Sequence, residues 1–346
     1  MDRTEEQGPT AISIEHRSPP TPDFEEVDDN NDSGFDSRPG STTSLPRNIL
    51  QRREVNGERC HTACDGAFSV GCDIQKQSRA QELNHHLYTL TLDDKLYLAP
   101  LETIQSLQKV LDAGCGTGLW AIDFADEHPE ARVIGIDISP IQPSWVPPNL
   151  EFQIDNLTRP WTFSTAYLDY IHIRHLTGSI TDWNVLFSEA FRCLRPGGIL
   201  ESHEPSCFLY TQSDSPLDES SDATSLYQNL AEEAGTKFGR PFTVVEDNLQ
   251  ENAMMAADFV DIHVHRRKVP VGAWPLDPRE KEMGIIAKWA FEEALACRIL
   301  HAGTLLDGWS DREAERLAAQ LRQLLSNMTK HYWTWHKIVW GRKPLR

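Results

Sequence analysis

A glycine-rich loop carries the residues of this sequence that are best suited to chemistry. Residues 110–118, VLDAGCGTG, follow a short apolar run and precede a helical pattern. Glycines at these positions permit a tight turn and let backbone N–H groups approach a ligand closely. Asp137 follows at the end of the next predicted strand, at about the 20-residue spacing at which an acid meets ribose hydroxyls. The pattern predicts a nucleotide-type cofactor site.

The acid that precedes the loop, Asp112, bears on the identity of the cofactor. Loops that bind dinucleotides usually lack such an acid, because they present a helix N-terminus to a pyrophosphate. S-adenosylmethionine has no phosphate and carries an ammonium and a sulfonium group, so a carboxylate favours it over NAD. The glycine loop by itself leaves both cofactors open.

Strand-like apolar runs alternate with helical patterns around this loop. Predicted strands cover residues 109–113, 132–137, 150–154, 168–173, 199–203, 259–268 and 332–340. Predicted helices cover residues 79–92, 118–127, 182–194, 222–237, 278–300 and 311–328, with a short extended piece at 96–98. This alternation predicts an α/β fold with a doubly wound, parallel sheet.

These motifs resemble those of the class I, or seven-stranded, methyltransferases. Residues 112–118 are similar to the first motif of that family, Asp137 to its ribose-binding acid, and residues 194–198, LRPGG, to the turn before its fifth strand. Residues 154–156, IDN, match the position at which a side chain contacts the adenine amino group. The resemblance implies S-adenosyl-L-methionine as cofactor and a Rossmann-like, mostly parallel seven-stranded sheet, to which this chain adds a helical insertion before the last strand. The implied cofactor-binding residues are Asp112, Gly114, Gly116, Gly118, Asp137, Ile138, Asp155 and Asn156.

A narrower resemblance is to the LaeA-like fungal methyltransferases. It rests on residues 85–87, 120–125, 139–149 and 169–174 and extends over about residues 48–346. That family includes a global regulator of secondary metabolism and many enzymes of natural-product gene clusters. The resemblance therefore implies a methyltransferase that acts on a small-molecule intermediate of fungal secondary metabolism. The alternative is a nuclear regulator that acts with protein partners on gene expression.

Methyl transfer does not demand a fixed catalytic residue. The reaction is an in-line displacement whose rate comes largely from positioning, and a base is needed only if the acceptor must lose a proton. His172 and His203 lie at the predicted ends of the fourth and fifth strands, where side chains face the ligand crevice of open α/β sheets. They are candidate bases or substrate contacts, and a purely structural hydrogen bond is the alternative.

Two groups of residues contain the side-chain types that ligate metals. Glu201 and His203 alternate onto one strand face, but a third ligand is missing. Cys60, His61 and Cys64 have no partner Cys-x-x-Cys that would complete a zinc site. The sequence therefore predicts no metal.

About sixty residues, 269–330, separate the last two predicted strands. A long insertion with helices of its own is often a lid or a substrate domain. We expect it to cover the acceptor pocket, with an oligomer interface as the alternative. Trp145 follows Asp137 by eight positions and is a candidate for contact with the adenine.

Charge and hydropathy limit the classes of partner. The net charge of -19 argues against direct nucleic-acid binding, which requires a basic surface. No apolar run approaches the ~18–20 residues that span a bilayer. Residues 1–48 are predicted to be a disordered acidic arm, with eleven acids and three bases in residues 1–40, ahead of a methyltransferase domain at 49–346. We expect a cytoplasmic protein, with the nucleus as the alternative and the arm available to protein partners.

Overall fold

The computed structural model describes residues 52–55, 58–61, 74–211, 223–306, 309–327 and 330–346. The predicted arm at 1–48 lies outside these ranges, as do Cys64 and Cys72. Two short strands that were not predicted, Arg52–Val55 and Glu58–His61, pair antiparallel as a hairpin. Cys60 and His61 lie in the second strand of this hairpin.

In the described part of the chain, the main sheet has seven strands. They are β1 (Lys109–Ala113), β2 (Arg132–Asp137), β3 (Leu150–Ile154), β4 (Leu168–Arg174), β5 (Leu194–Pro205), β6 (Val260–Val271) and β7 (Tyr332–Arg342). Their order across the sheet is β3-β2-β1-β4-β5-β7-β6. Strands β1 to β5 pair in parallel, and β7 runs antiparallel to both of its neighbours. The predicted seven-stranded, mostly parallel sheet is confirmed.

Seven α-helices accompany this sheet within the described ranges. They are α1 (Ile74–Thr91), α2 (Leu119–Glu127), α3 (Trp183–Cys193), α4 (Ala223–Phe238), α5 (Leu249–Ala256), α6 (Pro278–Leu305) and α7 (Asp311–Ser326). The start of α3 is fixed by Asp182, whose side chain accepts hydrogen bonds from the amides of Asn184 and Val185. Only α5, a helix of eight residues, was not predicted.

Helices cover both faces of the sheet. Leu111 of β1 shares a hydrophobic core with Phe187 of α3 and Met254 of α5. Val110, the preceding residue, points to the opposite face and joins the core that contains Phe124 of α2. Because helices cover both faces of the sheet, β4 is buried along its length as far as Ile173.

Two segments differ from the sequence prediction. Residues 96–98 form no strand, because the amides of Leu98 and Ala99 donate to the Glu201 carboxylate at 2.8 and 2.7 Å instead of to a neighbouring strand. Strand β5 begins five residues earlier than predicted, since Leu194 already pairs with Leu168 across a bulge. Both differences depend on contacts between distant segments.

The segment between β6 and β7 contains α6 and α7, as the predicted helical insertion requires. With α4, these helices form a separate hydrophobic core that includes Leu230, Leu317 and Trp333. Helix α6 also shares a core with α1, in which Met283 meets Leu87. No described helix is long and apolar enough to cross a membrane. That this insertion caps an acceptor pocket stays a prediction.

Candidate active site

The glycine loop joins β1 to α2 in a conformation that glycine adopts readily. Gly114 and Gly118 both have a φ of 82°, in the left-handed region. A side chain at Gly114 would also collide with Leu176, since a Cβ atom there would lie 2.7 Å from Leu176 Cδ2. The amides of Gly114 and Cys115 donate to the Ile136 carbonyl, which ties the loop to β2. The loop therefore has one fixed shape at the carboxyl edge of the sheet.

Asp137 holds this loop from the end of β2. Its Oδ2 accepts a hydrogen bond from the Gly116 amide at 2.8 Å, and its Oδ1 accepts one from the Ser139 amide at 2.9 Å. Burial raises the pKa of the Asp137 carboxyl above its ordinary value, and these two amides oppose that rise. A carboxylate has about four lone-pair sites, so Asp137 keeps capacity for ligand hydroxyls. Its predicted ribose contact fits this position.

Strand β3 brings two more of the predicted cofactor-binding residues, Asp155 and Asn156, to the carboxyl edge of the sheet. The Asp155 amide donates to the Asp137 carbonyl at 3.0 Å, which links the ends of β2 and β3. The Asp155 and Asn156 side chains are bonded to the backbone of their own turn. Ile138 follows Asp137 and is half-buried. The side chain of Trp145 is 90% exposed. Its contact with the adenine stays a prediction.

Asp112 and His172 form a buried pair between β1 and β4. His172 Nδ1 lies 2.8 Å from Asp112 Oδ1, and the imidazole stacks on Trp120 with ring centroids 3.7 Å apart. Burial raises the pKa of Asp112 to about 7 and lowers that of His172 well below its ordinary value. His172 is fully buried. The structure thus places it behind the crevice wall, bonded to a carboxylate rather than to the backbone.

His203 and Glu201 share a strand face, as their alternation predicted, and are fully buried. His203 Nε2 lies 2.6 Å from Glu201 Oε1. Burial opposes ionisation of Glu201, but hydrogen bonds from His203 and from the amides of Leu98 and Ala99 bring its pKa below the ordinary value. The Glu201 carboxylate is therefore occupied by hydrogen bonds from His203 and from the backbone of residues 98–99. Among the described residues, no three metal-ligating side chains converge.

Helix α1 contributes contacts that sequence reasoning missed. Gln81 Oε1 accepts a hydrogen bond from the Thr117 amide of the loop at 3.0 Å. One turn later, His85 bridges Asp123 of α2 at 2.8 Å and Arg174 of β4 at 3.1 Å. The Tyr88 ring packs against the rings of His203 and His336. The spacing of residues 81, 85 and 88 places them on one helix face, and this spacing is the sequence signal that could have identified the contact surface.

A small cavity lies at the same edge of the sheet as the loop, since β1, β4 and β5 are parallel. It lies among α1, the ends of β4 and β5, β7 and α6, and its volume is about 50 Å³. The lining residues are Asn84, Leu87, His175, Pro205, Ser206, Cys207, Phe208, Leu209, Val271, Ala287, Ala290, Phe291, Thr334 and His336. His175 immediately precedes Leu176, which contacts the loop, and its φ of 59° is unusual for a residue with a side chain.

This chain is similar to a family model, to curated proteins and to solved structures. Residues 83–258, just over half of the chain, match a family model described as a methyltransferase domain. Methyltransferase pytC of Aspergillus terreus is 37% identical over 284 residues, which cover 82% of this chain and 85% of that protein. Secondary metabolism regulator LAE1 of Cochliobolus heterostrophus is 30% identical over 297 residues, which cover 84% and 94%. A solved structure of phosphoethanolamine N-methyltransferase 2 of Haemonchus contortus is 16% identical with a TM-score of 0.43, over 86% of this chain and 72% of that one.

Replacement of Asp137 by alanine tests the loop and ribose roles together. We expect Asp137→Ala to weaken S-adenosylmethionine binding about 100-fold, because hydrogen bonds to a charged group contribute about 1.5–3 kcal/mol each. Calorimetry measures the dissociation constant. Glu151→Ala, which removes a 40% exposed carboxylate from neighbouring β3, is the matched control and should leave binding unchanged. Equal affinities of the two variants would contradict the assignment.

The raised pKa of Asp112 predicts that cofactor affinity depends on pH. In the ligand-free protein this carboxyl is protonated below about pH 7, whereas a cationic ligand favours the ionised form. The dissociation constant should therefore rise by up to about tenfold per pH unit as the pH falls from 7 to 5, with a proton released on binding. Calorimetry in two buffers of different ionisation enthalpy measures both effects. Asp112→Asn should abolish the pH dependence, and a persisting dependence in that variant would assign it to another group.

Proposed function

The chain belongs to the methyltransferase family, and from that premise we propose that it transfers the methyl group of S-adenosylmethionine to a small-molecule intermediate of fungal secondary metabolism. The sequence resemblance to that family is confirmed by the family model and by relatives that align over more than four-fifths of the chain. The pathway context is supported by the name of the LAE1 relative, a secondary metabolism regulator, and by pytC, a methyltransferase.

One observation carries the choice of a small acceptor: a concave, mostly apolar cavity lies at the carboxyl ends of β4 and β5, at the sheet edge where the glycine loop follows β1. Its walls include Ala287, Ala290 and Phe291 of α6. Sites for small organic ligands are typically concave and apolar with few polar groups.

The donor residues fit the cofactor in charge and in hydrogen-bonding capacity. When bound, S-adenosylmethionine supplies a methyl group attached to a sulfonium sulfur. On transfer, the electron pair of the carbon–sulfur bond stays on the sulfur. Asp137 offers spare lone pairs next to the loop, and Asp155 lies at the adjacent strand end. Asp112 places a carboxyl behind the loop that ionises near neutral pH. These groups position the donor, and no residue needs to be altered covalently.

The cavity is too small for an acceptor unless its walls move. Ligand pockets commonly enclose about 300–1,000 Å³, against about 50 Å³ here. The α6 wall belongs to the insertion between β6 and β7, whose helices share one hydrophobic core with α4 and another with α1. We therefore assign to this insertion the role of a lid that opens for the acceptor and closes for transfer.

A second candidate function is regulation of secondary-metabolism genes. It is favoured by the 30% identity to LAE1, which extends over 94% of that protein. In this case the acidic arm at 1–48 would contact protein partners and the protein would act in the nucleus. The small-molecule enzyme would act in the cytoplasm, so the location of a fluorescent fusion separates the two candidates.

Deletion of the gene tests the choice between enzyme and regulator. For the enzyme we expect loss of one compound and accumulation of a precursor that is lighter by one methyl group, measured by mass spectrometry of culture extracts. A catalytically weakened chain carrying Asp137→Ala should reproduce that profile. Loss of many compounds together with altered transcripts would contradict the pathway-enzyme proposal and support regulation.

Filling the cavity tests whether it receives the acceptor. Ala290→Phe puts an aromatic ring into the space from α6 and should reduce methyl transfer at least about tenfold by excluding the acceptor. The assay uses the purified chain, radiolabelled S-adenosylmethionine and extract of the deletion strain. Cofactor affinity should stay within about twofold. Trp289→Ala, at a neighbouring position that is 53% exposed, is the control and should retain activity. Unimpaired transfer by Ala290→Phe would place the acceptor elsewhere.

A further inference from the structure

The proposal developed here rests on the proposed function and specifies its acceptor. We propose that the acceptor is an uncharged hydroxyl compound with a largely apolar body, and that Nδ1 of His336 accepts a hydrogen bond from that hydroxyl. The transfer would then be an O-methylation.

The lining carries no side chain with a permanent charge. It combines an apolar majority with five polar residues, Asn84, His175, Ser206, Thr334 and His336. A buried charge without a partner is strongly unfavourable, because the desolvation cost is not recovered. A carboxylate, phosphate or ammonium acceptor would find no counter-ion in this lining. A neutral acceptor with an apolar body loses little on entering it.

The two hydroxyl groups of the lining already donate to the protein. Ser206 Oγ donates to Glu246 Oε1, and Thr334 Oγ1 donates to the Ser206 carbonyl at 3.0 Å. Each hydroxyl has a single proton, so neither can donate to a ligand without breaking its present bond. Glu246 lies behind Ser206 and also accepts from Tyr210, outside the lining. Recognition of the acceptor therefore falls to the amide and the imidazoles.

His336 has a ring nitrogen available for a ligand. Its side chain is 2% exposed, and Nδ1 has no hydrogen-bond partner among the described atoms. Burial lowers the pKa of the imidazole to about 3, and the neighbouring His203 and Arg267 act in the same direction, so the ring is neutral at physiological pH. A neutral imidazole has one nitrogen that donates and one that accepts. A ligand hydroxyl would satisfy a buried polar atom that is otherwise unpaired.

The backbone fixes His336 in place. On β7 it pairs with Pro205 of β5 and with Arg267 of β6, so strands flank it on both sides. Its ring packs against Tyr88 of α1, with centroids 4.9 Å apart. His172 and His203 also have an unpaired buried nitrogen, but neither lines the cavity. His175 is the other imidazole of the lining, and it is already engaged in an interaction of its own. Among His172, His203 and His336, only His336 combines an unpaired nitrogen with a place in the cavity wall.

The proposed step balances in atoms and charge. A lone pair of the acceptor oxygen attacks the methyl carbon, and the carbon–sulfur bond breaks with its electron pair left on sulfur. The positive charge of the sulfonium passes to the acceptor oxygen, whose hydroxyl proton is held in a hydrogen bond to the free nitrogen of His336. That proton passes to water when the product leaves. The products are S-adenosylhomocysteine, the methyl ether and a proton.

Three probes with the same bicyclic body test the proposed chemistry. They are 1-naphthol, 1-naphthoate and 1-naphthylmethylammonium, titrated by calorimetry into the full chain saturated with S-adenosylhomocysteine. We expect 1-naphthol to bind at least about tenfold more tightly than either charged probe, because only a neutral head group matches the lining. Tighter or equal binding of a charged probe, or binding of none of the three, overturns the proposed acceptor class.

Variants of His336 test the residue itself. His336→Phe should weaken 1-naphthol binding about tenfold and leave S-adenosylhomocysteine binding unchanged, whereas His336→Gln, which keeps a neutral acceptor atom, should recover part of the loss. His265→Phe, on the exposed surface of β6, is the matched control. Unchanged 1-naphthol affinity in His336→Phe overturns the role of this residue. If the unmodified chain failed to bind S-adenosylhomocysteine, the proposed function itself would fail, which separates the two results.

Discussion

The hydrogen bonds that Asp137 accepts from the amides of Gly116 and Ser139 fix the shape of the proposed cofactor site. They join the loop after β1 to the turn after β2, and the Asp137 carbonyl extends the link to β3 through the Asp155 amide. Charge-assisted bonds of this kind are stronger than neutral ones, and they fix the positions of the groups that a ligand must meet. Glycine in the loop is required because a side chain would collide with neighbours that this arrangement brings close.

Behind that edge, the sheet buries more ionisable groups than its apolar strands suggest. Asp112 pairs with His172, Glu201 pairs with His203, and Glu204 accepts from the amides of Leu176 and Thr177. Burial raises the pKa of Glu204 to about 7, as it does that of Asp112. Buried groups of this type remain tolerable only when each has partners, and here the partners come from neighbouring strands or from loops at their carboxyl ends. The paired polar groups lie in the carboxyl-terminal halves of β1, β4 and β5.

The proposed acceptor cavity is built by other elements. Its walls come from helices α1 and α6 and from the ends of β5 and β7. Helix α6 packs with α1 in one hydrophobic core and with α4 and α7 in another. Under the proposed function, a fixed donor site next to a wall that moves would suit a reaction that depends on excluding water and on aligning two reactants.

The local sequence determined the parts of this protein that short-range patterns encode. The seven strands follow from apolar runs and the helices from their periodicity, while the glycine loop and Asp137 follow from spacing along one strand–helix–strand unit. The helix α5 and the long β5 escaped prediction because they depend on packing and pairing with distant segments.

Tertiary structure alone decided how the polar residues are used. His172 looked equally suited to catalysis and to structure, and only the approach of β4 to β1 gave it Asp112 as a partner. His336 had no sequence signal, since its neighbours Tyr88 and Pro205 lie more than a hundred residues away in the chain. Spacing along a chain fixes which residues share one element, whereas burial and partnership between elements arise only when the fold closes.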